Sequence, residues 1–198
     1  MEIAMKLASL IAVAGIAAAA SAQTMTYSWT VGDTGDNDGV ITGGESAVLT
    51  LWAAMDPAPA VGFAGSIYDI MGGANWDTGT VDSYENLVDS LGTGPGALQG
   101  NGDIMGIEAF QLPPFFNPSY DASNPIALYA ITWTPADYTA RTVEVADANH
   151  LNNDIYTDDF GTSAGYDGVN GAASFNVVPA PASLALLGLG GLVARRRR

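Results

Sequence analysis

The chain contains no cysteine, so neither a disulfide nor a thiolate metal site is available to it. Stability in an oxidising compartment has to come from packing or from bound ions. Histidine occurs once, at His150, in a segment that reads as a polar, exposed loop. Basic residues are almost as scarce. Six Lys and Arg stand against 21 Asp and Glu, for a net charge of −15, and Arg141 is the only basic side chain between Gln23 and Val178. The middle of the chain is therefore almost purely acidic, which repels nucleic acid and anionic lipid surfaces and reads first as a solvated acidic face. Gly161-Thr162-Ser163-Ala164-Gly165 has the letters of a Gly-x-Ser-x-Gly elbow, but it lies in a polar stretch without the strand-to-helix setting such an elbow needs, and no period of twenty to fifty residues repeats. Beyond those letters nothing marks a Ser-His-Asp set, and nothing marks a paired-carboxylate glycosidase.

What is present begins at the two ends. Lys6 precedes an apolar stretch, Leu7 to Ala20, and Ala20-Ser21-Ala22 is an A-x-A cleavage site before Gln23. Residues 1–22 thus read as a secretory signal peptide, cleaved between Ala22 and Gln23. Residues 23–178 form one domain of ordinary size. Residues 179–198 are a third part: a proline break, an uncharged run from Ala182 to Ala194, and Arg195, Arg196, Arg197 and Arg198. As a helix that run would be about 20 Å long against a hydrocarbon core of about 30 Å, with arginines that can snorkel and favour the cytoplasmic side.

Between the ends the pattern is that of short strands. Met25 to Val31 alternates, with Met25, Tyr27, Trp29 and Val31 on one side. Ser46 to Met55 puts Leu49 and Leu51 opposite Val48 and Trp52. Val61 to Met71, Ile104 to Phe110, Ile126 to Thr134, Thr142 to Ala146 and Ala173 to Val178 are further extended segments. Tyr84 to Leu91 fits a turn or two of helix. Gly92 to Gly102 reads as a glycine-rich loop, Leu112 to Pro125 as an irregular aromatic loop, and Asp147 to Asn170 as polar loop with room for a strand at Asp154 to Thr157. Seven or eight strands separated by Gly, Pro and Asp turns predict an all-β sandwich, immunoglobulin-like or jelly-roll-like.

The best candidate site is the acidic turn from Asp33 to Glu45. Set against a calcium-loop pattern with Gly39 at the invariant glycine, Asp36, Asp38 and Glu45 fall at ligand positions and Thr34 at the first. Calcium is the cofactor this spacing predicts, with a backbone-satisfying turn as the alternative. Asp154, Asp158, Asp159 and Asp167, with Asn152 and Asn153, fit no metal pattern and read as solvated loop. Among the aromatics, Trp133 and Trp52 read as core. Phe115 and Phe116, with Trp76, are surface candidates for sugar stacking.

Val178-Pro179-Ala180-Pro181, the apolar run and the terminal arginines together resemble a PEP-CTERM sorting signal, over about the last 21 residues. Ala180 stands where that family usually has Glu. The resemblance implies a partner, an exosortase-type transpeptidase of the inner membrane. It also implies transient anchoring in that membrane, then cleavage near the prolines and release or attachment at the cell surface of an exopolysaccharide-producing bacterium. The expectation is an exported, non-enzymatic surface or matrix protein. The alternatives are a carbohydrate- or calcium-dependent adhesion module and a secreted hydrolase.

Overall fold

A computed structural model describes residues 23–88 and 94–179. The signal segment, residues 89–93 and the tail from Ala180 lie outside the described residues, so the cleavage site and the arginine cluster are not placed. Among the described residues no helix is long and apolar enough to cross a membrane.

The fold is a β-sandwich of two sheets. The strands are β1 (Thr24–Asp33), β2 (Val40–Ile41), β3 (Ala47–Asp56), β4 (Gly62–Gly72), β5 (Gly79–Asn86), β6 (Ala97–Leu98), β7 (Ile104–Phe110), β8 (Ile126–Pro135), β9 (Arg141–Tyr156), β10 (Ser163–Gly165), β11 (Asp167–Val169) and β12 (Ala172–Val177). A single 3-10 turn, Trp76–Thr78, precedes β5. One sheet has the order β11-β1-β3-β8-β5; the other runs β2-β12-β9-β4-β7-β6, with β10 against β9. Alternation explains the layering. Met25 and Tyr27 on β1 and Leu49, Leu51 and Ala53 on β3 are buried, while the residues between them face out. The facing sheet supplies Phe63, Tyr68, Ile70, Val143, Val145 and Phe175, so apolar side chains of two inner faces meet in one core.

The sequence pattern misjudged four segments. Where Tyr84 to Leu91 was expected to turn helical, Tyr84 to Asn86 instead end a strand: β5 pairs along β8, and Tyr84 stacks on Tyr129 with ring centroids 6.4 Å apart. The glycine-rich loop contains β6, two residues paired with β7. In β8 the alternation reverses, because Leu128 and Tyr129 are both buried. The register against β3 slips at Leu51/Trp52, which is a bulge that turns Ile131 and Trp133 inward. Most of all, the expected polar loop after Asp147 is the second half of β9. Asn149 and Asn152 sit at φ 56° and 51°, and each side step lets the strand continue while breaking its period of two.

β9 is the spine of its sheet. Arg141 pairs with Val177 at one end, and Tyr156 pairs with Gly62 and Ser163 at the other. Among the described residues, the last ladder contact is Val178 N–H to the Ile41 carbonyl at 2.9 Å. Pro179 follows, with no N–H to extend it.

Candidate functional site

The acidic turn is built around Asp33. Its Oδ1 accepts the N–H groups of Gly35 and Asn37, each at 2.8 Å, and its Oδ2 accepts that of Gly39 at 2.9 Å. Asp36 Oδ1 accepts Asp38 N–H at 3.3 Å, and Asp38 Oδ1 accepts Val40 N–H at 2.7 Å. Carboxylate oxygens of Asp33, Asp36 and Asp38 lie within 4.8 Å of one another. These three are the acids the turn gathers, and calcium would draw on them. Glu45, expected to complete the set, is held elsewhere: its Oε2 accepts Thr42 N–H at 2.8 Å and the Thr42 hydroxyl at 2.6 Å. Asp33 was missed because it falls one position before the first ligand of the pattern. Its signal was the Asp-x-Gly spacing of a carboxylate that closes its own turn.

His150 is not exposed. Its side chain is 3% accessible, and its Nε2 lies 2.6 Å from Oδ2 of Asp147, whose side chain is fully buried. Asp147 Oδ1 also accepts Trp29 Nε1–H at 2.9 Å, and Gly171 N–H reaches both of its oxygens at 3.1 and 3.0 Å. The imidazole stacks on Tyr27, with centroids 3.7 Å apart. The Tyr27 hydroxyl donates toward Ser66 Oγ and Asn153 Oδ1, both at 2.7 Å, and Ser66 donates to Asn153 at 2.8 Å. His150 Nδ1 is buried without a hydrogen-bond partner. The one serine in this cluster is therefore bonded to an asparagine rather than to the imidazole. A nucleophile–base pair needs a hydrogen bond between the two groups, so the cluster is a polar clasp in the core.

Ionisation follows from these positions. Burial pushes the hydroxyls of Tyr27, Tyr68 and Tyr129 well above the ordinary 10.0. Desolvation raises the Asp33 carboxyl, but the N–H donors of Asn37, Gly39, Gly35 and Asp38 together hold it below the ordinary 3.8. In the unfolded chain the tyrosines ionise near 10 while in the fold they keep their protons. Their share of stability is thus complete below about pH 10 and is lost as pH rises toward the folded values. For Asp33 the sign is opposite: its share is present above about pH 4 and is lost as pH falls through the depressed folded value. Tyrosinate absorbance followed together with circular dichroism checks the alkaline limb. The expected result is that part of the tyrosinate signal appears only as the fold is lost.

The aromatic loop yields a surface. Phe116 and Asn117 N–H groups close a turn on the Pro113 carbonyl at 2.9 and 3.0 Å. Phe115 N–H donates to Asp159 O at 3.1 Å, tying this loop to the β9–β10 turn. Phe115, Phe116 and Phe160 are 65%, 60% and 68% exposed. Phe115 is 5.1 Å from Phe116 and 5.0 Å from Phe160 between centroids. Asp158 Oδ1 accepts N–H groups of Phe160, Gly161 and Thr162 at 2.9–3.1 Å, which fixes that turn. Phe160 was missed because a lone Phe between Asp and Gly carries no pattern. Trp76 is not a surface residue: it is 2% exposed, and its Nε1–H donates to the Gly102 carbonyl at 3.0 Å. Trp52, expected in the core, lies half-buried on the outer face.

The sandwich is similar to cohesin modules. The seventh type I cohesin of ScaB from Pseudobacteroides cellulosolvens superposes with a TM-score of 0.51 at 13% identity, covering 79% of this chain and 92% of that chain. The cohesin module of a family 33 glycoside hydrolase from Clostridium perfringens gives 0.46 at 10% identity, over 80% and 98%. The sixth cohesin of scaffoldin B from Acetivibrio cellulolyticus, solved with a dockerin, gives 0.44 at 13% identity, over 77% and 97%. No family model matches the sequence, and no curated protein matches it. At these identities the cohesin likeness is one of fold, and fold alone carries no activity.

Proposed function

We propose that the chain is an exported, non-catalytic binding module of the cell surface or extracellular matrix, contacting a protein partner through Phe115, Phe116 and Phe160. The observation that carries this is the phenylalanine platform itself. Each ring left in water forgoes ~1.5–3 kcal/mol of burial, and three joined through Phe115 form the kind of apolar patch that marks an interaction site. Asp158 and Asp159 border it, so the partner it fits is a protein segment with apolar and basic side chains. A sandwich of cohesin-like fold is in keeping with that role.

The delivery route belongs to the same proposal. The signal peptide exports the chain. The tail anchors it transiently in the inner membrane, and an exosortase-type enzyme cuts near Pro179 to Pro181, leaving the domain in an exopolysaccharide layer. Among the described residues Val178 makes the last ladder contact, so a cut near the prolines leaves the described strands whole. One experiment on the cell-associated protein reads both parts. With a photo-crosslinking residue at Phe116, mass spectrometry should find a chain beginning at Gln23, ending near the proline motif and joined to one defined partner. The adduct should disappear when Phe115 and Phe160 are changed to Ser, since centrally placed aromatic anchors carry about 2 kcal/mol or more each. A cytosolic product keeping Met1 and Arg198 would overturn the delivery, and an adduct indifferent to the two Phe changes would overturn the platform.

A further inference from the structure

The outer face of the five-stranded sheet is anomalous in charge. In a chain with 21 acidic residues, its three central strands, β1, β3 and β8, carry Asp only at their ends, at Asp33 and Asp56. The outward positions bear hydroxyls, methyls and one indole. Cross-strand pairing sets them in rows: Ser28 beside Trp52, Thr30 beside Thr50, and Val48 beside Thr132. Charge returns only at the flanking strands, with Asp82 and Glu85 on β5 and Asp167 on β11. Three strands at about 4.8 Å spacing and some eight residues of each at ~3.4 Å rise make a strip on the order of 15 by 25 Å.

Trp52 is built into this strip. Its Nε1–H donates to Thr30 Oγ1 at 3.0 Å, so the indole's one polar atom is satisfied within the face and the side chain is held across β3 and β1. The ring is half-buried and the remainder meets solvent. Val48 is 37% exposed. It shares a shallow depression of about 350 Å³ with Ala130 and Thr132, bordered by Ser83, Tyr84 and Glu85.

We infer that this strip binds a neutral polysaccharide chain. The charge pattern selects the class. A polyanion would be repelled by a chain of net charge −15, and a basic protein would find its complement on the acidic loops rather than on a strip whose carboxylates, such as Asp82 and Glu85, stand only at its edge. A neutral sugar chain needs no counter-charge. It offers hydroxyls at short spacing, which Ser and Thr can meet as both donors and acceptors, and flat C–H faces, which an immobilised indole can cover. A rigid sheet keeps those groups in register without ordering cost at binding. The inference rests on the export reading only for where the ligand is met, and it is independent of the phenylalanine platform.

Native gel electrophoresis of the purified full chain tests it, with hydroxyethylcellulose, glucomannan or dextran cast in the gel and anionic alginate in a parallel gel. The expected result is retardation by at least one neutral polymer and none by alginate. Trp52→Ala should weaken retardation at least tenfold. Thr50→Lys, at an outward position, should do the same by placing a charge in the strip, and it decides the matter should Trp52→Ala fail to fold. The Phe115→Ser/Phe160→Ser double variant should be retarded like the parent, which separates this surface from the protein-binding one. Retardation by no neutral polymer, retardation by alginate alone, or retardation untouched by both strip variants overturns the inference.

Discussion

Changing Asp147 to Ala is expected to cost about 3–5 kcal/mol, because one carboxylate serves three separate parts of the core. It accepts from Trp29 on β1, from His150 on its own strand and from Gly171 ahead of β12. Its removal leaves an indole N–H, an imidazole nitrogen and a backbone N–H without partners, the imidazole fully within the core and the other two partly buried, and each such orphan costs about 1–3 kcal/mol where water cannot replace the carboxylate. It also unties the two sheets, since β1 belongs to one and β9 and β12 to the other. Asp147→Asn keeps an acceptor oxygen and should lose less. Urea unfolding followed by tryptophan fluorescence gives the difference. A loss under about 1 kcal/mol for Asp147→Ala would mean that the clasp does not hold the sheets together. With a domain's stability usually at 5–15 kcal/mol, the expected loss is a large share of the total.

Trp133→Ala should be as damaging, at about 3–5 kcal/mol, for a different reason. Trp133 is fully buried. Its ring stacks on Trp76 at 5.8 Å and meets Phe175 edge-on at 5.4 Å, and its Nε1–H donates to the Trp76 carbonyl at 3.1 Å. Gly79 makes room for it: a Cβ there would fall 2.2 Å from the indole. Such close fit leaves a cavity that neighbouring strands cannot close, and unfilled volume is what makes large-to-small changes costly. Trp133→Phe should recover part of the loss by keeping the aromatic contact with Phe175. Calorimetry on the pair measures it, and a Trp133→Ala protein melting like the parent would show that the pocket collapses freely.

How much of this was legible depended on whether a strand kept its period. β1 and β3 alternate without interruption, so Met25 with Tyr27, and Leu49 with Leu51, were each set on one face of a strand, and that face is the inner one; Trp52, read as core, lies on the opposite face. β9 was read as loop because Asn149 and Asn152 step aside at positive φ and because its inward residues there, Asp147 and Asn153, are polar. Their partners, Trp29 and Tyr27, are more than a hundred residues away in sequence, and no local pattern carries such pairing. The acidic turn was visible from Asp36, Asp38 and Gly39, but not the hub, Asp33, nor the diversion of Glu45 to Thr42. Phe115 and Phe116 stood out in a proline loop, whereas Phe160 joins them only through folding. The uncharged strip was open to view in principle, as three stretches without a carboxylate. It becomes one surface only when the sheet order sets β1, β3 and β8 side by side.

The unbroken course of β9 has a geometric corollary for a tethered molecule. Its Arg141 end lies beside Val177, two residues before the described chain ends, and its Tyr156 end leads within four residues to Phe160. Sixteen residues at ~3.3 Å per step span on the order of 50 Å, somewhat less after bulges and twist. Val177 and the phenylalanine rings therefore stand at opposite ends of this strand. Under the proposed anchoring through the tail, cargo caught on the rings would be held most of a strand's length from the point where the described chain ends.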